Sequence, residues 1–161
     1  MLNTKQIDKL IKAFRAYDRI DGVTITSDGI SCSAFGITTK AFEHVKDYAL
    51  TVIQAGIHAK LDATLASLIP TSTNLPLTDT SIAVIDGNTT VKCLKGASDG
   101  LTFVNADYFD LLNATFGGLS WYGTTSSSVI VGKKNNETVA ILGPMRPTSY
   151  IGKLNAIKGA L

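Results

Sequence analysis

Apolar positions recur along this chain with two periods, and the switches between them predict its elements. Over Thr4–Asp18, residues Ile7, Leu10, Ile11, Phe14 and Tyr17 share one face at 3.6-residue spacing, as in an amphipathic helix. Thr4 is the predicted N-cap, and Asp21-Gly22 breaks the helix. Residues 23–26 and 30–34 alternate across the turn Ser27-Asp28-Gly29, which predicts a hairpin. The helical period returns over residues 39–69, with Phe42, Val45, Ala49, Val52, Ile53, Leu61, Leu65 and Leu68 as candidate core positions. Gly56 costs a helix about 1 kcal/mol relative to alanine and marks a kink or a break, and Pro70 ends the segment. Residues 71–79 read as a Thr/Pro-rich connector, so residues 39–80 form a helical segment with its linker. Residues 81–85 and 89–94 then flank Asp86-Gly87 as a second hairpin.

The last third alternates again. Residues 101–104 are a short apolar strand, Asn105 is a good N-cap, and Asp107 lies in the first turn where the helix dipole favours an anion. Tyr108, Leu111, Leu112 and Thr115 form the face that packs on a sheet, and Gly117-Gly118 stops the helix. Residues 119–122, 127–131 and 138–142 read as strands, the last two joined through Lys134-Asn135-Asn136. Phe14, Leu111 and Ile141 are expected to be buried across one helix–sheet interface. In the tail, residues 148–161, Tyr150, Ile151, Leu154, Ile157 and Leu161 are helically spaced, while Gly152 and Gly159 weaken the helix. That pattern fits a docked tail or a subunit contact.

Composition narrows the class. The chain has 161 residues, 45% hydrophobic and 17% charged, with mean hydropathy +0.19, which specifies one folded, fairly apolar domain. A net charge of +2 does not by itself imply a nucleic-acid partner, so only clustering matters. The cluster is on the first helix: Lys5, Lys9, Lys12 and, if the helix runs on, Arg19 lie opposite the apolar face within roughly 80°. Either this is a solvated face or it meets phosphates. Met1 leads into a charged helix rather than a signal sequence, and the longest apolar region carries His58, Lys60 and Asp62, so no membrane span is expected. Cys32 and Cys93 read as free thiols in a reducing cytoplasm, and the Asn-X-Thr triplets at Asn88, Asn113 and Asn136 as accidental.

Candidate chemistry is sparse. His44 and His58 have no cysteine or carboxylate at metal-ligand spacing. Gly132-Lys133-Lys134 lacks the remaining residues of a phosphate loop, and Ser126-Ser127-Ser128 lacks the glycines of a nucleophile elbow. The chain therefore reads as a non-enzyme with no metal or cofactor.

Two stretches carry a resemblance. Residues 10–20, LIKAFRAYDRI, followed by GVTITSDGISCSAF, are similar to the opening helix and hairpin of a bacterial-type DNA sliding clamp's third domain. Phe103, Asn105, Tyr108, Leu111, Leu112, Asn113 and Ala114, then Ile141, Leu142, Pro144, Met145 and Arg146, resemble its closing helix and terminal strand, in the order the family requires. The resemblance covers residues 5–35 and 88–146. It implies an α+β fold of helices on antiparallel sheets, with residues 1–147 as one clamp-like domain, 39–80 as an insertion, and 148–161 beyond the family's usual end. It also implies a processivity factor that self-associates around or along duplex DNA, with Lys5, Lys9, Lys12 and Arg19 facing phosphates. Known clamp rings resemble six such domains, so a ring would take about six copies, joined head to tail. Ile141, Pro144 and Met145 would wall a groove, with Arg146 at its rim, for a short apolar peptide of a DNA polymerase or repair protein. Gly143 stands where the family has its first Met and makes that groove shallower. The helical segment 39–69 and the acidic second helix, with Asp107 and Asp110, fit an alternative: a monomeric or dimeric, phage-encoded regulatory module that binds a protein and does not encircle DNA.

Overall fold

Asn3 opens the first helix with a reciprocal cap. In the computed structural model, Asn3 Oδ1 accepts from the Gln6 N–H at 3.0 Å, and Gln6 Oε1 accepts from the Asn3 N–H at 2.8 Å. The helix α1 is Thr4–Asp18, so Thr4 is its first residue and not its cap. An Asn/Gln pair at this spacing satisfies two orphan donors where a lone threonine satisfies one. Leu2 and Ile7, on either side of the cap, are buried in the same cluster and fix the angle at which the chain enters the helix. The structure describes residues 1–18, 23–26, 28–32, 34–56, 59–60, 75–96, 100–123, 129–145 and 154–161.

Three short antiparallel strands follow: β1 (Val23–Thr26), β2 (Gly29–Ser31) and β3 (Phe35–Thr38). The first hairpin is as expected, but its second strand stops at Ser31 and β3 is a strand the pattern did not reveal. All four β3 residues are buried. A strand covered on both faces does not alternate. Gly36 is required there, because a Cβ would lie 2.8 Å from Ser31 Cβ and 3.0 Å from the Ile30 carbonyl oxygen.

The helical segment begins at Thr39 as expected and then breaks up. It consists of α2 (Thr39–Phe42), a 3₁₀ turn (Glu43–Val45) and α3 (Lys46–Gly56). Ala59–Lys60 is a two-residue strand, β4, parallel to β1, so the helix does not continue through these positions towards residue 69. Gly56, the costliest helix former in the segment, ends α3. Leu61, Leu65 and Leu68 lie outside the described residues, as does the Ile53 side chain.

Next come β5 (Pro76–Asp86), β6 (Thr89–Gly96), β7 (Leu101–Asn105), α4 (Ala106–Phe116), β8 (Ser120–Tyr122), β9 (Ile130–Lys134), β10 (Glu137–Leu142) and α5 (Leu154–Ala160). Residues 76–80, expected in the connector, are strand; they look polar because most of them are exposed. Asn105 caps α4 as expected, its Oδ1 accepting from the Asp107 N–H at 2.9 Å, and Gly117 ends the helix in the left-handed conformation at φ 70°. β9 runs on to Lys134, and its turn to β10 is made by Asn135 and Asn136, at φ 49° and 64°.

The fold is mixed α+β. The ten strands among the described residues form one sheet in the order β4-β1-β2-β3-β10-β9-β8-β5-β6-β7, antiparallel throughout except β1–β4. Two helix-plus-three-strand units, α1-β1-β2-β3 and α4-β8-β9-β10, meet in reversed order at the central β3–β10 pair, where Phe35, Gly36 and Ile37 face Leu142, Ile141 and Ala140. The Phe35 ring stacks on Phe14 of α1 at 4.6 Å and on Tyr108 of α4 at 5.0 Å, so both helices lie on the same face of the sheet. The main core fills that face. On the other, Ile157 of α5 covers Val84, Val91, Cys93, Leu101 and Phe103, while Ile141 pairs with Val131 in a separate cluster. The expected Phe14–Leu111–Ile141 interface is therefore corrected. Ala140 and Leu142 face the helices, so strand alternation turns Ile141 away, and Leu111 is only half-buried.

Candidate functional site

The lysines of α1 stand on a face framed by two other helices. On one flank Gln6 Nε2 donates to the Thr115 carbonyl of α4 at 2.8 Å. On the other, the Tyr48 hydroxyl of α3 donates to Asp8 Oδ1 at 2.8 Å, which raises the Tyr48 pKa. Lys5, Lys9 and Lys12 are exposed between these contacts. Arg15 is exposed as well, and with Asp8, Lys9, Lys12, Ile11 and Val52 it lines a crevice of about 360 Å³ between α1 and α3. None of these four cations makes an ion pair among the described residues. Arg15 was missed by counting only the centre of the stripe; its spacing of three from Lys12 was the available signal. Arg19 lies outside the described residues. Four cations on one helical face, none in an ion pair among the described residues, can meet the phosphates of a duplex without reading its sequence. Beside them, the exposed residues of α4 include Asp107 and Asp110 and no lysine or arginine.

The tail residues are divided. Ile141 is buried against Val131 on the outer face. Pro144 is half-buried, and Met145 donates its N–H to the Phe103 carbonyl at 2.7 Å while its side chain packs on the cluster under α5. Ile141 and Met145 thus belong to different clusters, and Arg146 is outside the described residues.

A third arrangement had no local signal in the sequence. Lys92 of β6 points at α4, its Nζ 3.2 Å from Asp79 Oδ2, 3.3 Å from Asp110 Oδ1 and 4.9 Å from the Phe109 ring centre. Burial pulls the ammonium pKa down, and the hydrogen bonds to Asp79 and Asp110 outweigh it, leaving Lys92 above the ordinary lysine value. Beside it a cleft of about 600 Å³ opens between β5 and β8, walled by Leu77, Leu94, Phe109, Asn113 and Trp121. Among the described residues β5 pairs with β8 at Pro76–Tyr122 and Leu77–Trp121 alone, and its register on β6 shifts between Asp79 and Ala83, where Ser81 has φ 63°. The three charges come from β5, β6 and α4, and one ammonium shared by two carboxylates leaves the group net negative. Asn113 holds the cleft's other wall, accepting from Trp121 Nε1 and the Leu119 N–H, both at 3.1 Å.

Among the described residues no cluster of three or more His, Cys, Asp or Glu is placed to hold a metal ion, and no helix is long and apolar enough to cross a membrane. Comparison with protein-family models, curated proteins and solved structures finds no match to this chain.

Proposed function

We propose that this chain is a non-enzymatic, sliding-clamp-like accessory protein of DNA replication that contacts duplex DNA through α1. The observation that carries the proposal is the reversed pairing of two helix-plus-three-strand units about β3–β10, with both helices on one face and the cations Lys5, Lys9, Lys12 and Arg15 exposed on α1. Two helices side by side on one sheet suit a surface that rides on DNA, and phosphate contact is independent of sequence, as sliding requires. Self-association extends such a surface around or along the duplex. A polymerase or repair protein is the partner class that goes with this role, and Pro144–Met145 is where its peptide would be sought.

The acidic exposed face of α4 favours a second reading, in which the same scaffold binds a protein and no DNA is encircled. One experiment separates the two. Protein is loaded on a closed circular duplex, washed, and followed as the circle is cut once. A clamp-like protein stays on the circle and runs off the ends of the linear form. Equal retention on both forms, or no retention on either, overturns encirclement, and a chain that also shows no duplex binding at low salt has no DNA role.

A further inference from the structure

Among the described residues, the far half of β5 is a strand edge with no neighbour. β5 pairs with β8 only through Pro76 and Leu77, whereas its pairing with β6 continues to Asp86–Thr89 at the hairpin end. In that two-residue hairpin Asp86 and Val84 direct their backbone groups to β6, so by alternation Ala83 and Ile85 direct theirs outward. No hydrogen bond reaches these outward groups among the described residues. Side chains repeat the message. Ala83 is exposed, and Ile85, at 71% exposure, is the most exposed large hydrophobic residue of the strands described. Along the same edge a groove of about 460 Å³ runs between Ile82–Ile85 and α5, lined on the helix side by Ala156, Ile157 and Ala160. Edges open to water are normally blunted by a lysine, a proline or an inward charge, and Ser81-Ile82-Ala83-Val84-Ile85 contains none.

We infer that this edge pairs with the β5 edge of a second copy of the chain. The occupant is identified by self-complementarity. Antiparallel two-fold pairing centred on Val84 sets Ala83 of one copy opposite Ile85 of the other, and uses the outward N–H and C=O of both residues in both copies. The register sets a small side chain against a large one, Val84 against Val84, and Ile82 against Asp86, so no like charges face each other. The short side chains of Ala156 and Ala160 leave room beside the strand for the partner's side chains. Such an interface is isologous and closes at two copies, so it is distinct from the head-to-tail contact of a ring. It stands independently of DNA binding, and if α1 does meet DNA it doubles the lysine stripe offered to one duplex.

The test is sedimentation velocity of the full chain from about 1 to 100 µM, the range in which a dimer of micromolar affinity appears. Two variants accompany it. Ala83→Pro removes an outward donor while leaving every bond to β6 in place, and Ile85→Lys puts a charge on the edge. The parent is expected to dimerise. Each variant is expected to weaken the dimer by about tenfold or more while keeping the parent's melting temperature when compared as monomer at the lowest concentration. Hydrogen exchange adds a residue-level readout: the backbone amide at position 85 slows with concentration in the parent and not in Ile85→Lys. A parent that stays monomeric overturns the inference, even if another protein's strand occupies the edge. A dimer equally stable in both variants, with a fast Ile85 amide, overturns it too, since the contact then lies elsewhere.

Discussion

Phe35 holds the two halves of the molecule together, from a strand of only four residues. Its ring is fully buried between Phe14 and Tyr108, so it links α1 to α4 through β3. Phe14→Ala is expected to cost about 3–5 kcal/mol, read by urea or thermal unfolding, and a variant melting within a degree or two of the parent contradicts this packing. Phe14 was legible in the sequence because helical spacing assigns it to the core. Phe35 was not, since nothing local tells a residue in a fully buried strand which helices it will touch. Lys92 was equally illegible, because its carboxylates come from β5 and α4. Its consequence is a pH dependence with a definite sign. A lysine held above its ordinary pKa stabilises the fold at neutral pH and below, and that contribution disappears as pH rises through the folded pKa, beyond the usual lysine range. The stability difference between parent and Lys92→Met should therefore be flat near neutrality and shrink above pH of about 10.5. The cysteines give a simpler check. Cys93 is fully buried and burial pushes its thiol pKa up, whereas Cys32 is partly exposed. A thiol reagent should label Cys32 first and reach Cys93 only on unfolding.

Elements were legible where the chain carries its own punctuation. Asn105 and Gly117 bound α4 as read, and the hairpins signalled by Ser27-Asp28-Gly29 and Asp86-Gly87 both formed. Where punctuation was ambiguous the sequence misled. Thr4 looked like the cap of α1, yet Asn3 and Gln6 cap each other, so Asn3→Ala should cost about 0.5–2 kcal/mol and Thr4→Ala much less. The turn from β9 to β10 shows the same local control. Asn136 sits at φ 64°, a conformation that costs a β-branched residue roughly 1–2 kcal/mol, so Asn136→Val should destabilise by about that much and Asn136→Gly should not. β4, with two residues in parallel pairing, has too little sequence to announce itself.

At the scale of the whole molecule, the mixed α+β class agrees with what the resemblance implied, and helical and alternating segments were visible along the chain, but the strand order was not. The β3–β10 pair joins residues a hundred positions apart, and the register that sets it is a match of buried surfaces rather than of turns. The candidate site divides in the same way. The lysine stripe was legible because it follows from the period of one helix, whereas the cleft beside Lys92 and the open edge of β5 depend on where β8 stops pairing. The central claim is that the exposed face of α1 meets duplex phosphates. It is tested most directly by the salt dependence of duplex affinity for the parent and for the joint Lys5, Lys9 and Lys12→Gln variant. Counterion release predicts that the slope of log K against log salt becomes shallower by about 0.9 for every phosphate the variant no longer neutralises, while stability hardly changes because these positions are exposed. Identical slopes, or a parent that does not bind duplex DNA at about 50–100 mM salt, would contradict it.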